Sequence, residues 1–217
     1  MDFKIDIANK ENSFLRIAEE LMNHHVIKVK EVLYRIVDCE FYLKHETHED
    51  NYVHDHMEQA KTGSWYFHGS GIDITIGNRE QNSRGGILIR GIAKISEKEN
   101  ANGDLIEVNK KSLGPLNVLT TLFAHFENVF DKTNSFFLQE INLPKKEIYN
   151  FVRKGLNEAK DTNGFHYKPY RFISFPYLGH SEKGMIQEYV QKQRKISEAD
   201  VKELFTLKYK KLGKLVD

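Results

Sequence analysis

The chain alternates between two kinds of hydrophobic spacing. After Asn12-Ser13, a helix-start pair, Phe14, Ile17, Ala18, Leu21 and Met22 recur at helical intervals. The pattern then changes at Val26: VIKVKEVLYRIVDCEFYL, through Leu43, is rich in β-branched and aromatic residues and predicts one long strand or a hairpin. Ile72–Ile76 alternates strictly, with Asp73 and Thr75 on the polar face. Ile87–Ala93 predicts a nearly continuous apolar strand interrupted by Arg90, which needs a partner if buried; Asp38 and Asp73 are the candidates. A polar turn is expected over 98–103.

Gly114-Pro115 opens a second predicted helix, with Leu116, Leu119, Leu122, Phe123 and Phe126 as its buried stripe. A third is expected over 145–156, behind Pro144. Phe165–Tyr167 and Tyr170–Phe175 look like strands, and a helix or helix pair runs from Met185 to about Leu212. No repeat or linker divides the chain. The expectation is an α+β fold in a single domain, a curved and mainly antiparallel sheet flanked by helices. Residues 1–180 form its body, with a basic helical extension over 181–217 packed on the same domain.

Composition narrows the function. The chain has 217 residues, 40% of them hydrophobic and 29% charged, enough for a packed core. No apolar run approaches the ~18 residues of a membrane span. The first residues lack the apolar segment of an export signal. Cys39 is the sole cysteine, so an internal disulfide and a thiolate metal cluster are excluded. A reducing, cytoplasmic setting and no membrane partner are expected. The net charge of +1 argues against a dedicated DNA-binding domain at the level of composition, although the segment from Gln191 onward is locally basic.

Chemistry concentrates in two places. KHETHEDNYVHDH, residues 44–56, packs four histidines among four carboxylates. Its spacings do not match a standard zinc site, so no metal and no cofactor are expected. His45, His48 and His56 are read as exposed loop residues. RIVDCEFYL, residues 35–43, places Asp38, Glu40 and Tyr42 on one strand face, with Val37, Cys39, Phe41 and Leu43 on the other. Two carboxylates and a phenol in line serve either acid/base chemistry or a solvated surface. His68-Gly69-Ser70-Gly71 and Gly85-Gly86 are read as turns.

The stretch RIVDCEFY resembles the strand of the alkyladenine (3-methyladenine) DNA glycosylase family that carries its catalytic glutamate. Further similarities follow in the family's order: EDNYVH (49–54), WYFHG (65–69), GILIR (86–90), LGP before LNVLTTLF (113–123) and KPYRF (168–172). By that resemblance Glu40 activates water. Tyr42, His54 and Trp65 form a base-stacking pocket supported by Arg90. Thr75 stands where the family has an asparagine, and His68 where it inserts a tyrosine into the duplex. The resemblance implies a monomeric hydrolase, a monofunctional N-glycosylase that removes alkylated or damaged purines from duplex or single-stranded DNA. The smaller wedge and the weakly basic 55–64 loop keep two alternatives open. One is hydrolysis of nucleosides or single-stranded N-glycosides; the other is a non-catalytic module that binds nucleobases or a partner.

Overall fold

The computed structural model describes residues 1–99, 104–108, 112–180 and 182–212, with side chains of 209–212 excepted. Parts of the expected 98–103 turn and of the basic C-terminal segment therefore lie outside the described residues. Among those described there are four α-helices: α1 (Lys10–His24), α2 (Pro115–Phe123), α3 (Lys183–Arg194) and α4 (Glu198–Leu212). The strands are β1 (His25–Val29), β2 (Val32–His45), β3 (His48–Glu49), β4 (Thr62–His68) and β5 (Gly71–Ile76). They continue with β6 (Arg84–Ile95), β7 (Ile106–Glu107), β8 (Phe136–Glu140), β9 (Tyr149–Phe151) and β10 (Arg171–Ile173). All ten belong to one antiparallel sheet, so the fold is α+β in a single domain.

The sheet is organised around the 14-residue β2. One of its edges is paired along its length by β6; the other is paired in turn by β1, β10 and β3. The main order is β4-β5-β6-β2-β1-β8, and the sheet curls until its two ends touch. The rings of Trp65 on β4 and Phe136 on β8 lie 4.4 Å apart. The curl wraps a core formed by Phe14, Ile17 and Leu21 of α1, Val118 and Leu122 of α2, and inward strand residues such as Cys39, Phe41, Ile74 and Ile89. A second core lies on the opposite face, where Ile186 and Val190 of α3 and Val201 and Phe205 of α4 pack with Val37, Phe151 and Ile173. The C-terminal helices thus bury apolar area against the sheet.

Where the pattern was regular the elements match it: α1, the β1–β2 hairpin, β5, β6 and the α3–α4 pair. Three expectations fail. Residues 145–156 do not form a helix; they run extended and pair as β9 with β10, because Tyr149 and Phe151 alternate into the second core. Phe165–Tyr167 is a single 3-10 turn with Phe165 buried. In α2 the inward residues are Val118 and Leu122, whereas Leu116 is 56% and Phe123 39% exposed.

A paired irregularity in the middle of the sheet decides where the chemistry goes. Between β2 and β6 the register runs Ile36↔Ile92, Asp38↔Gly91, Cys39↔Ile89. Val37 and Arg90 are each the extra residue of a bulge, which resets the alternation of their strands. Val37 therefore joins the second core while Cys39 joins the first, correcting the expectation that they share a face. Gly91 has no side chain because a Cβ there would sit 2.9 Å from the Asp38 Cβ and 3.0 Å from Leu113.

No helix among the described residues is long and apolar enough to cross a membrane.

Candidate functional site

Cross-strand registry builds the site. Arg171 on β10 pairs with Glu40 on β2, Glu40 with Leu88 on β6, Leu88 with Asp73 on β5, and Asp73 with Tyr66 on β4. Directly opposed residues project from the same face of a sheet. This row therefore lies beneath a cleft of about 870 Å³. Tyr42, Leu88 and Arg90 line its floor. His54, His68 and Asp73 line the cleft as well, as do Lys154, Lys160 and Glu182, with Tyr52 reaching the Asn157 carbonyl at 3.0 Å.

Glu40 is wholly buried at the floor. Its Oε2 accepts hydrogen bonds from the Tyr42 hydroxyl at 2.6 Å and from Arg90 Nη1 at 3.3 Å. Its Oε1 accepts the Lys154 backbone N–H at 3.0 Å and lies 3.8 Å from Arg171 Nε. Arg90 thus pairs with Glu40, and neither Asp38 nor Asp73 takes that role. The bulge that frees Arg90 from its cross-strand partner also turns it toward the cleft. Its side chain is 16% exposed, and its Nε is buried with no hydrogen-bond partner.

Asp38 is bound by both arms of Arg171, at 2.9 and 2.6 Å, and lies 3.6 Å from His180 Nδ1. Burial alone would raise its pKa; the Arg171 charge and the hydrogen bonds from His180 and Arg171 outweigh it and hold the carboxyl well below its ordinary value. Asp38 is therefore a fixed structural anion. Arg171 also reaches Glu182 at 3.2 Å, and Lys154 Nζ contacts the same carboxylate at 2.6 Å. The Tyr42 phenol is driven well above its ordinary pKa by burial and by the Glu40 charge, so it remains a donor to Glu40.

Also in the cleft lining, His68 Nε2 lies 3.0 Å from Asp73 Oδ1, and its Nδ1 accepts the Ser70 backbone N–H. That pairing assigns the Nε2–H tautomer. The His54 ring meets His68 edge-on at 4.4 Å, and its pKa is lowered, chiefly by burial.

Of the residues expected from sequence, Glu40, Tyr42, His54, His68 and Arg90 come together here. Two do not. Trp65 pairs with Ile74 and faces the first core beside Phe136, on the other side of the sheet; its neighbour Tyr66 shares the sheet face of Asp73. Thr75 is fully buried, and its hydroxyl is consumed by Ser64, accepting the N–H at 2.9 Å and donating to the C=O at 3.1 Å. Nor does His68 project as a wedge, since it is turned inward to Asp73. The stretch 44–56 also divides differently from expectation: His48 is buried, donating from Nδ1 to Leu43 O at 2.7 Å.

On sequence alone Arg153, Lys154, Arg171 and Glu182 have no site role, and Asp73 figures only as a candidate partner of Arg90. Alternation in Ile72–Ile76 marked Asp73 as facing away from the core. No local signal marked Arg153, which is buried beneath Tyr42 through contacts far along the chain. No three His, Cys, Asp or Glu side chains among the described residues are grouped to hold a metal ion.

No protein-family model matches this chain. It is similar to an uncharacterized protein of Acanthamoeba polyphaga mimivirus, 27% identical over an alignment of 205 residues covering 76% of this chain and 87% of the viral one. The functional reading therefore rests on the geometry of the cleft.

Proposed function

We propose that the cleft holds a purine-like base and that the protein hydrolyses its N-glycosidic bond, with Glu40 as the carboxylate that activates water. The observation that carries this reading is the setting of Glu40: a buried anion held by Tyr42 and Arg90, both of which line a cleft large enough for a nucleoside. Displacement of the partly exposed Arg90 side chain admits a water to Oε2. The carboxylate takes the water's proton as the oxygen attacks C1′, and its negative charge stabilises the oxocarbenium character that develops; the glycosidic electron pair leaves on the base nitrogen, which takes up a proton from solvent. Tyr42, Tyr52 and His54 supply ring surfaces for the base. The resemblance to alkyladenine DNA glycosylases at RIVDCEFY and EDNYVH supports the same assignment of Glu40 and His54.

Two features favour a nucleoside or a single strand over duplex DNA. His68 is folded inward to Asp73, so no side chain at that position is free to fill a gap in a base stack. The 55–64 segment carries one lysine, Lys61, and it is paired with Glu58. Phosphate contacts supply much of the affinity for a duplex, and this edge of the cleft offers few.

The test uses purified protein with nucleosides, single-stranded and duplex oligonucleotides containing one hypoxanthine or alkylated adenine, with the released base read by chromatography. Release from nucleoside or single strand that disappears in a folded Glu40→Gln variant is expected. No release from any substrate, or undiminished release in Glu40→Gln, overturns the reading.

A second reading is a nucleobase-binding module without turnover. It is favoured by the complete burial of Glu40, both of whose oxygens are already hydrogen-bonded. Its signature is base binding by calorimetry that survives Glu40→Gln, with no product formed.

A further inference from the structure

We propose that the cleft selects an acidic or neutral oxo-purine and rejects a cationic ring, because Arg153 occupies the buried side of its aromatic surfaces. This inference rests on the cleft receiving a nucleobase and is independent of whether the base is cleaved.

Arg153 is fully buried, and its guanidinium carbon lies 4.5 Å from the centroid of Tyr42 and 5.4 Å from that of Tyr52. Both rings line the cleft. A cation is attracted to an aromatic face by the ring's quadrupole. Here a permanent cation already sits against both rings, so the attraction they would offer a second positive charge is opposed by direct repulsion. Asp50 pairs with Arg153 and reduces that repulsion; the Tyr42 hydroxyl donates to Glu40 Oε2, the oxygen that also accepts from Arg90.

The charges facing the cleft itself are also asymmetric. Its lining anions are engaged: Asp73 by His68 and Gln59, and Glu182 by Arg171 and Lys154. Of the lining cations, Arg90 is paired with Glu40 and Lys154 with Glu182, whereas Lys160 forms no ion pair among the described residues and the Arg90 Nε has no hydrogen-bond partner. An entering ring therefore meets one cation without an ion pair, Lys160, together with the paired guanidinium of Arg90 at the floor and that of Arg153 behind Tyr42. A carbonyl-rich ring that carries negative charge, or spreads it over exocyclic oxygens, is matched to that surface. A ring quaternised by alkylation is not.

Calorimetry with three nucleosides of similar size tests the proposal on the intact protein: xanthosine, which ionises readily; inosine, which is neutral; and 7-methylguanosine, which carries a positive ring. Xanthosine is expected to bind at least tenfold more tightly than 7-methylguanosine, a difference of about 1.4 kcal/mol, with inosine between them. Lys160→Gln is expected to narrow that ratio several-fold while leaving thermal stability unchanged. The paired Asp50→Leu/Arg153→Met variant, where folded, is expected to improve binding of 7-methylguanosine relative to inosine, a selectivity change that a purely structural role for Arg153 would not produce. Equal binding of all three, or preference for the cation, overturns the proposal and leaves the nucleobase cleft standing. Failure of all three to bind removes the nucleobase cleft itself, and this proposal with it.

Discussion

Removing the Arg153 guanidinium by Arg153→Met perturbs an ion pair, with Asp50, whose two side chains are both fully buried. The guanidinium donates to Asp50 at 2.6 and 3.2 Å, and to the carbonyls of Phe41 and Phe165 at 3.0 and 3.1 Å. Methionine fills much of the volume but leaves the Asp50 carboxylate with the Tyr52 N–H at 3.1 Å as its remaining donor. Breaking a buried pair by deleting one partner costs about 3–5 kcal/mol, because the other charge stays buried without compensation. That is a large part of the roughly 5–15 kcal/mol by which a domain is stable. At roughly 2–4 °C per kcal/mol for a chain of this size, the melting temperature falls by roughly 10 °C. Asp50→Leu alone costs a similar amount, since it strands the guanidinium. The double variant Asp50→Leu/Arg153→Met removes both charges and leaves chiefly the two carbonyls unpaired. It should therefore be more stable than the sum of the single changes by at least about 2 kcal/mol. Urea unfolding followed by circular dichroism measures all four proteins. A loss below about 1 kcal/mol in Arg153→Met, or additivity across the cycle, would refute the claim that this pair fixes the floor beneath Tyr42.

Three further outcomes follow from other parts of the structure. Gly86→Ala drives a Cβ into the Asp73 carboxylate, which His68 holds in place; a loss of about 1–3 kcal/mol is expected in urea unfolding. Asp38 has a folded pKa held below its unfolded value near ~3.9, so the stability it contributes is complete above that value and is lost as pH falls through the lower, folded one. The deficit of Asp38→Asn relative to the parent, measured by unfolding at a series of pH values, should be constant above about pH 5 and shrink below about pH 4; a deficit that grows with acidification would contradict this sign. Cys39 is fully buried, and burial raises its thiol pKa well above the ordinary value, so iodoacetamide should label it only after denaturant unfolds the chain.

Helical spacing at Phe14, Ile17, Leu21 and Met22, alternation at Ile72–Ile76, and the β-branched run from Val26 to Leu43 determined the main elements and the α+β class. Each is a repeat that a helix or strand must turn toward apolar neighbours, so the signal is local. The polar side of the site was legible for the same reason: Asp38, Glu40 and Tyr42 share a face by alternation, and they do so in the structure.

Tertiary structure decided the rest. The resemblance puts Trp65 in the pocket, yet its pairing with Ile74 commits it to the core, and only the β4–β5 register reveals that Tyr66 shares the sheet face of Asp73. Residues 145–156 are expected to form a helix behind Pro144, and pairing with β10, arriving from residue 171, makes three of them a strand instead. The partners of Glu40 come from residues 42, 90, 154 and 171, and the cation beneath Tyr42 from residue 153. A chain's local pattern fixes which way a side chain points along its own element. Which charge lies across from it depends on register, bulges and loop closure, and those are set by the summed packing of segments more than a hundred residues apart.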